Sequence, residues 1–555
     1  MAPPKPSNNV GKRQLVGQGP NRGPPKKHRR DSVVDLEEPS TSKATTKVQS
    51  ARASKNPPKY TTEDLALLYF GCKDQRLFET VENEGFLQFM KLVAPNFKIP
   101  SASFLKEMLL EKYRNHTRDY QSKLSRASDI CITLNMWTEV NNRSFLKVVA
   151  HFIENHSFVS CTIAVREFSK DNIPNYIAQN FREILNSWNI NHNQIRAVVT
   201  DNNRPNITTA IKSTMGEKLH LPCFVGKINI IINDVLSNRL IKRTINKVKD
   251  IITWVENSTI RSNKLRNLQL QNNVPEESVL QLVLNDRTKW TTTYYMLEIF
   301  SKLWQVIYEI ILEYNRESTW LSSNEIEVVK ELVQLLKPFE CMIREACQQK
   351  YVTISKILPL ISCLSSELNN VNIKLLDMIV IKETLITTIK QKFESIEFND
   401  HVAISTLLDP RFKNLHFLKP EARQKAISKL REKIRLQNTD NASNWCEQNK
   451  KYDFWKHHKK LANVDEVSQY LSRDVANLQS NPLVEWEKMR SVFPRLYNVA
   501  RSYLVVVANS APCRLSSPKP GKTPGETTDN LSNEDVEKLL FLRSLSDDEF
   551  FSDIM

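Results

Sequence analysis

Apolar positions along the chain change their spacing several times, and each change predicts a change of secondary structure. Between residues 61 and 113, leucine, phenylalanine and methionine recur every three or four positions, which is the spacing of amphipathic helices. At Ile130, Ile132, Leu134 and Met136 apolar residues alternate with their neighbours, which predicts a β-strand. Further strands are predicted at 145–153, 158–165 and 195–200, and helices at 177–188, 207–215 and 228–240. This order predicts a mixed α/β domain.

The remaining segments differ in composition. Residues 241–400 keep helical spacing almost throughout, and residues 401–512 are mixed. Residues 513–555 are predicted to form a Pro-rich linker, a short helix and a frayed acidic tail. Residues 1–60 are rich in Pro, Ser, Lys and Arg and hold too few apolar residues to offset the entropy cost of ordering, so we expect a disordered arm.

Charge is unevenly distributed along the 555 residues. The formal net charge is +16, of which residues 1–60 carry +9 and residues 522–555 carry −6, leaving +13 on the body between them. Such a balance favours nucleic acid as a partner, although a solvated basic surface remains the alternative. The nine dispersed cysteines include no C-x-x-C pair, which predicts reduced thiols. No apolar run is long enough for a membrane span, and the N-terminus has no secretory pattern.

A compact cation cluster lies inside the basic arm. It consists of Lys26, Lys27, Arg29 and Arg30, preceded by two prolines. Such a cluster predicts binding to a nuclear-import receptor of the importin type, and hence a nuclear protein. The alternative is a solvated charge run.

Six short phrases, in one order, carry a resemblance to a known family. They are residues 135–138 (N-M-W-T), 198–202 (V-V-T-D-N), 221–224 (L-P-C-F), 286–297 (D-R-T-K-W-T-T-T-Y-Y-M-L), 403–413 (A-I-S-T-L-L-D-P-R-F-K) and 481–487 (N-P-L-V-E-W-E). Over residues 62–543 the chain resembles the hAT transposase superfamily, including its relatives with BED-type zinc fingers. The resemblance implies an α/β ribonuclease-H-like core interrupted by a large all-α insertion, helix-rich overall, behind the disordered N-terminal arm.

The resemblance also implies a division into segments. Residues 61–127 would be the helical region before the catalytic core, and residues 128–240 the first part of that core. Residues 241–400 would be the all-α insertion. Residues 401–512 would hold the remainder of the core and the C-terminal dimerisation region, and residues 513–555 the linker, short helix and acidic tail.

Transposases of this family transfer phosphoryl groups with two Mg²⁺ ions held by two aspartates and a glutamate. Asp201 matches the second aspartate, but Asn135 stands in place of the first. The third acid is expected just after Pro512, where the chain has Cys513, Arg514 and Leu515. An amide carries no charge and suits Mg²⁺ poorly. We therefore expect a degenerate transposase that is not an enzyme and has no metal site or cofactor.

Two zinc motifs of the family are also incomplete. Gly226 stands where the histidine of a C-x-x-H motif is expected after Cys223, and His220 with Cys223 alone would not hold zinc. The BED finger needs paired cysteines, whereas Cys72 is the single cysteine among the first 130 residues. We therefore expect the chain to lack that DNA-reading finger.

Binding residues follow from the resemblance as well. Arg287, Lys289 and Trp290 match a segment that contacts DNA, and the Trp290 ring could stack on a base. A buried packing role is the alternative for Trp290, because Tyr294, Tyr295 and Leu297 lie beside it. The residues expected at the dimer interface are Pro482, Leu483, Trp486, Phe493 and Leu496.

Together these features predict a catalytically inactive, nuclear hAT derivative that forms homodimers and binds DNA or chromatin, with a role in transcription regulation and no small-molecule substrate. One alternative is a protein-interaction scaffold without nucleic-acid binding. A second is an active transposase with a rearranged metal site. A genomic copy without a selected function is a further alternative.

Overall fold

This computed structural model describes residues 60–74, 76–138, 143–168, 174–202, 204–285, 289–347, 352–448, 465–510 and 533–552, apart from the side chains of 437–448 and 533. The basic arm with Lys26, Lys27, Arg29 and Arg30 lies outside the described residues, as do Arg287 and the segment 513–532.

Three helices precede the first strand: α1 (Thr62–Asp74), α2 (Glu84–Val93) and α3 (Ala102–Arg126). The start of α1 is fixed by two reciprocal hydrogen bonds, in which the Asp64 amide donates to Thr61 Oγ1 at 3.1 Å and the Thr61 amide to Asp64 Oδ2 at 3.0 Å. Ser101 caps α3 by accepting from the Phe104 amide at 3.3 Å. The pattern of polar caps before apolar repeats thus sets both helix starts.

Five strands form one mixed sheet in the order β3-β2-β1-β4-β5. The strands are β1 (Ile130–Thr138), β2 (Ser144–Glu154), β3 (Ser157–Phe168), β4 (Ile195–Thr200) and β5 (His220–Pro222). The first three form an antiparallel meander, whereas β4 and β5 run parallel to β1. The helix-rich architecture around a mixed sheet agrees with the sequence prediction.

Alternation along β1 divides the interior into two layers. Ile130, Ile132 and Leu134 point into a cluster formed with α3, α4 (Pro174–Ser187) and α5 (Pro205–Met215). Cys131 points to the opposite face, into a cluster that includes α6 (Phe224–Ser237). Successive strand side chains face opposite ways, so this single strand contributes to both layers.

From α6 to residue 448 the described elements are helices. They are α7 (Arg239–Glu256), α8 (Thr259–Gln271), α9 (Trp290–Glu313), α10 (Ser323–Ala346), α11 (Ile357–Asn370), α12 (Leu376–Phe393), α13 (Asp400–Leu408) and α14 (Pro420–Gln448), with short 3-10 turns between some of them. Ser322 and Glu325 form a capping box at the start of α10. That helix continues through Pro338 to Ala346. Among the helices in the described parts of the chain, none has the length and apolarity to cross a membrane.

Helices and loops of the C-terminal part of the chain pack against both layers of the interior. Its helices are α15 (Glu466–Ser472), α16 (Pro482–Met489), α17 (Pro494–Leu504), α18 (Asn533–Ser544) and α19 (Asp547–Phe550). Helices α16 and α17 pack with α13 and α14 in a third apolar cluster. Helices α18 and α19 lie against the N-terminal helices, where Tyr120 donates to Glu549 at 2.6 Å and Phe550 is buried. The expected fraying of the acidic end is therefore wrong for residues 547–550, because Ser546 caps α19 and Phe550 anchors it.

Candidate functional site

Asn135, in the carboxyl-terminal half of strand β1, and Asp201, directly after strand β4, lie side by side. Leu134 pairs with Thr200 across the two strands. The residues that follow them, Asn135 and Asp201, are therefore at the same level along the two neighbouring strands. Both side chains are partly buried. The two positions that the sequence assigns to a catalytic metal are thus neighbours, and one of them is an amide.

A lysine lies on the other side of Asn135. In the antiparallel pairing of β1 with β2, Asn135 is directly opposite Lys147. Directly opposed residues project on the same face of a sheet, so a cation stands beside the amide. Positive charge next to the position of the missing carboxylate opposes binding of a divalent cation. Lys147 was not predicted as part of this site.

His220 takes part in the sheet rather than in a metal site. Its Nε2 lies 2.8 Å from Thr200 Oγ1, and burial lowers the pKa of His220 to about 4. The imidazole is therefore neutral at physiological pH and its Nε2 is occupied by the threonine. Across the described residues, no group of three or more His, Cys, Asp and Glu side chains is arranged to hold a metal ion.

The start of α6 joins the sheet edge to the chain around residue 509. Cys223 Sγ accepts from the amides of Gly226 at 3.3 Å and Ser510 at 3.4 Å, while Asn202 Nδ2 donates to the Cys223 carbonyl at 2.9 Å. Asn509 Oδ1 accepts from the Val225 amide at 3.1 Å. Residues 509 and 510, which precede the expected position of the third acid, are thus held next to the residues that follow Asp201.

Packing at Gly226 explains how a glycine replaces the expected histidine. A Cβ atom at this position would lie 3.1 Å from Asn202 Nδ2 and 3.4 Å from Cys223 Cβ. A side chain here would therefore require the Asn202 amide, which donates to the Cys223 carbonyl, to shift. The broken motif is therefore accommodated by close approach of Asn202.

Trp290, the aromatic residue expected to contact DNA, lies in the interior. Its side chain is 5% exposed, and its Nε1 donates to Asn229 Oδ1 at 2.9 Å. Lys289 directly before it is exposed, and Arg287 lies outside the described residues. This placement favours the packing interpretation of Trp290, since a ring that stacks on a base needs an open face.

The five residues expected at the dimer interface are buried within one chain. They are Pro482, Leu483, Trp486, Phe493 and Leu496. Trp486 stacks on Tyr470 with ring centroids 4.8 Å apart and donates its Nε1 hydrogen to the Leu408 carbonyl at 2.6 Å. These side chains build the core of the C-terminal part, and their direct contact with a second copy stays a prediction.

The fold is that of a mixed α/β protein whose central strands place the amide of Asn135 beside the carboxylate of Asp201. Residues 133–224 match the family described as the ZBED1 RNase-like domain, residues 221–335 the ZBED1 RNase-like helical domain, and residues 466–546 the hAT family C-terminal dimerisation region. The chain belongs to the hAT transposase-derived family that includes the zinc finger BED domain-containing proteins.

Individual relatives are distant and longer. The chain is 24% identical over 508 residues to the human zinc finger BED domain-containing protein 4, covering 85% of this chain and 42% of that protein. It is 24% identical over 339 residues to the putative transcriptional regulator tpeD of Talaromyces stipitatus, covering 54% of this chain and 39% of that one. It is 26% identical over 235 residues to the putative AC transposase of Zea mays, covering 40% and 28%. The chain thus spans less than half the length of these relatives.

Proposed function

We propose that this protein is a catalytically inactive hAT transposase derivative that forms homodimers in the nucleus, binds DNA or chromatin and regulates transcription. Its ribonuclease-H-like core would comprise residues 128–240 and 401–512, with residues 241–400 as an all-α insertion. The observation that carries the proposal is the replacement of a metal-binding carboxylate by Asn135, with Lys147 beside it on one side and Asp201 on the other.

Electrostatics supports the loss of catalysis. Two Mg²⁺ ions bring four positive charges, which anionic oxygen ligands must balance. Here a neutral amide occupies the position of one of these ligands, and the lysine on the adjacent strand adds a positive charge, so this part of the sheet provides less negative charge than two such ions need. The third acid is also missing from the sequence after Pro512.

The net charge of the chain and the names of its relatives support DNA binding. Residues 61–521 carry a formal net charge of +13, which attracts a polyanion. Relatives named as a transposase and as a transcriptional regulator point to the same partner. Phosphate contacts by Lys and Arg would provide most of the affinity, with Lys289 and Arg287 as candidates beside α9.

Fluorescence anisotropy with a labelled random-sequence duplex tests this proposal. The full chain is compared with a chain that starts at Pro58, where the compact unit begins. We expect both chains to bind, with an affinity that falls steeply as salt rises, because counterions are released on binding. Binding by the full chain alone would assign the affinity to the basic arm. No binding by either chain at physiological salt would refute the proposal.

One surface favours a protein-interaction scaffold as the second candidate. Helix α2 buries none of its residues, and Leu87, Phe89, Leu92 and Val93 are between 42% and 75% exposed. A row of exposed apolar residues on one helix is typical of a protein-binding surface. Salt-independent capture of a protein partner that is lost in Phe89→Ser and Leu92→Ser, without any DNA affinity, would establish this candidate over the first.

A further inference from the structure

A cleft of about 330 Å³ opens beside the carboxyl end of β5, and neither Asn135 nor Asp201 is among the residues that line it. The cleft is lined by Leu221 and Pro222 of β5, by the start of α6, by Ile354 and Ile357, by residues 507–508 and by residues between 393 and 402. Crevices outside the carboxyl ends of parallel strands are the usual ligand positions in open α/β sheets. Its volume is at the lower end of the range for small-ligand sites.

Three phenylalanines give the cleft an aromatic lining. The rings of Phe224 and Phe393 lie against each other with centroids 5.5 Å apart. Both of these rings are almost fully buried, whereas Phe398 is 38% exposed and therefore presents an open face to the cleft. Aromatic faces of this kind bind the flat surface of a base regardless of its sequence.

One lysine lines the same cleft, and three more lie near its lining residues. Lys227 is half-buried in its wall, with its Nζ 5.9 Å from the centre of the Phe393 ring. Lys392 is close enough to repel it. Lys419 and Lys425 each place an Nζ 5.7 Å from the centre of the Phe398 ring. The segment before Lys419 is held in place because Glu397 accepts from the amides of Leu418 at 3.0 Å and Lys419 at 2.9 Å.

Most of this positive charge has no protein counter-charge. Lys419 has Glu394 at 3.6 Å, but within the described part of the chain Lys227, Lys392 and Lys425 form no ion pair. Burial, and then the neighbouring Lys392, lower the pKa of Lys227. Burial and the neighbouring cation thus disfavour the charged form of Lys227, and a bound anion would favour it.

We propose that this cleft receives one unpaired nucleotide, with its base against the exposed ring of Phe398 and its phosphate on Lys227 and the neighbouring lysines. The apolar lining alone would suit any small hydrophobic ligand, and the lysines alone any anion. Only a ligand with a flat apolar part joined to a phosphate uses both. Bases in a paired duplex are stacked and out of reach, so the ligand is a nucleotide of a single strand or a free one.

This inference rests on the proposed DNA-binding function and extends it to single strands. The test is fluorescence anisotropy of the full chain with two labelled probes, a short oligothymidylate and a blunt duplex. The variants are Lys227→Gln and Phe398→Ala. Lys390→Gln is the matched control, because Lys390 is an exposed lysine of α12 outside the cleft lining. Circular dichroism verifies that each variant keeps its helix content, and Phe398→Leu replaces Phe398→Ala if the alanine variant unfolds.

The proposal predicts that the cleft variants lose affinity for the single strand and keep their affinity for the duplex. Lys227→Gln should weaken oligothymidylate binding by roughly tenfold and lower its salt slope by about 0.7, the value for one phosphate contact on a single strand. Phe398→Ala should weaken it by roughly 5- to 100-fold, as for the loss of one stacking partner. Duplex binding by both variants, and oligothymidylate binding by Lys390→Gln, should change by less than about twofold.

The remaining outcomes separate the possible failures. If neither cleft variant alters oligothymidylate binding, the cleft is not the nucleotide site. The same conclusion follows if the chain binds the duplex but not the oligothymidylate. Both results leave the proposed DNA-binding function intact. Failure of both probes would overturn the proposed function and the cleft together. Displacement of the oligothymidylate by thymidine monophosphate would identify a free nucleotide as a sufficient ligand, whereas cleft-dependent binding without such displacement would identify the strand.

Discussion

The buried carboxylate of Asp409 gives the sharpest prediction about stability. Asp409 is fully buried and accepts from Arg411 Nε at 2.9 Å, from Arg411 Nη2 at 2.7 Å and from Ser355 Oγ at 2.6 Å. Arg411 is itself 8% exposed and also donates to the Ser480 carbonyl at 3.5 Å. This network joins the end of α13 to the start of α11 and to the segment before α16.

The Asp409→Asn variant removes one charge and leaves the other inside the protein. Breaking a buried ion pair by removing one partner costs roughly 3–5 kcal/mol, because the remaining guanidinium has lost its counter-charge. The double variant Asp409→Asn with Arg411→Met should lose less than the single one, since neither charge remains buried. Asp400→Asn is the control: Asp400 pairs with Lys429 at 2.6 Å, but both side chains are over a third exposed, so the expected cost is at most about 1 kcal/mol.

Urea unfolding followed by circular dichroism measures these differences. A shift of the midpoint at constant slope gives the change in the free energy of unfolding for each variant. If Asp409→Asn loses no more stability than Asp400→Asn, or if the double variant is less stable than the single one, the account of Asp409 as the neutralising partner of Arg411 is refuted.

Three further predictions concern Gly226, Trp290 and His151. Gly226→Ala should lower the free energy of unfolding by about 1–3 kcal/mol, because its Cβ meets Asn202 Nδ2 at 3.1 Å; an unchanged urea midpoint would mean that Asn202 yields freely. Trp290→Phe should cost roughly 1–3 kcal/mol through the lost hydrogen bond to Asn229 and leave duplex affinity unchanged; weaker DNA binding at unchanged stability would instead show that the ring contacts DNA. Burial lowers the pKa of His151 to about 3 from 6.5, so the unfolded chain takes up its proton first as pH falls. Stability should therefore decline below about pH 6.5, and His151→Gln should reduce that slope in urea midpoints taken between pH 7.5 and 5.

The sequence predicts the sheet better than it predicts the surroundings of the site. Alternation at Ile130, Ile132 and Leu134 marks β1, because a strand that contributes to two layers must alternate. The position of Lys147 opposite Asn135 was not predicted, since the register between two strands depends on the turn that joins them. The lysines near the cleft come from three separate parts of the chain, so no local pattern groups them.

Apolar spacing also does not say what an apolar face packs against. Leu483, Trp486 and Leu496 carry the pattern of a buried face, which a protomer core and a dimer interface share. For the same reason the sequence allows both a packing role and a DNA-contact role for Trp290. Its hydrogen bond to Asn229, a residue of α6, joins residues that are far apart in sequence. In both cases only the folded structure shows which residues the apolar side chains pack against.

The most direct test of the central claim, DNA binding without phosphoryl transfer, is incubation of the full chain with supercoiled and linear DNA in Mg²⁺ and in Mn²⁺, with binding and strand cleavage followed on the same samples. The account predicts salt-sensitive binding that needs no metal and no strand cleavage in either metal. Metal-dependent cleavage that disappears in Asp201→Ala would contradict it and would establish an active nuclease at the carboxyl ends of β1 and β4.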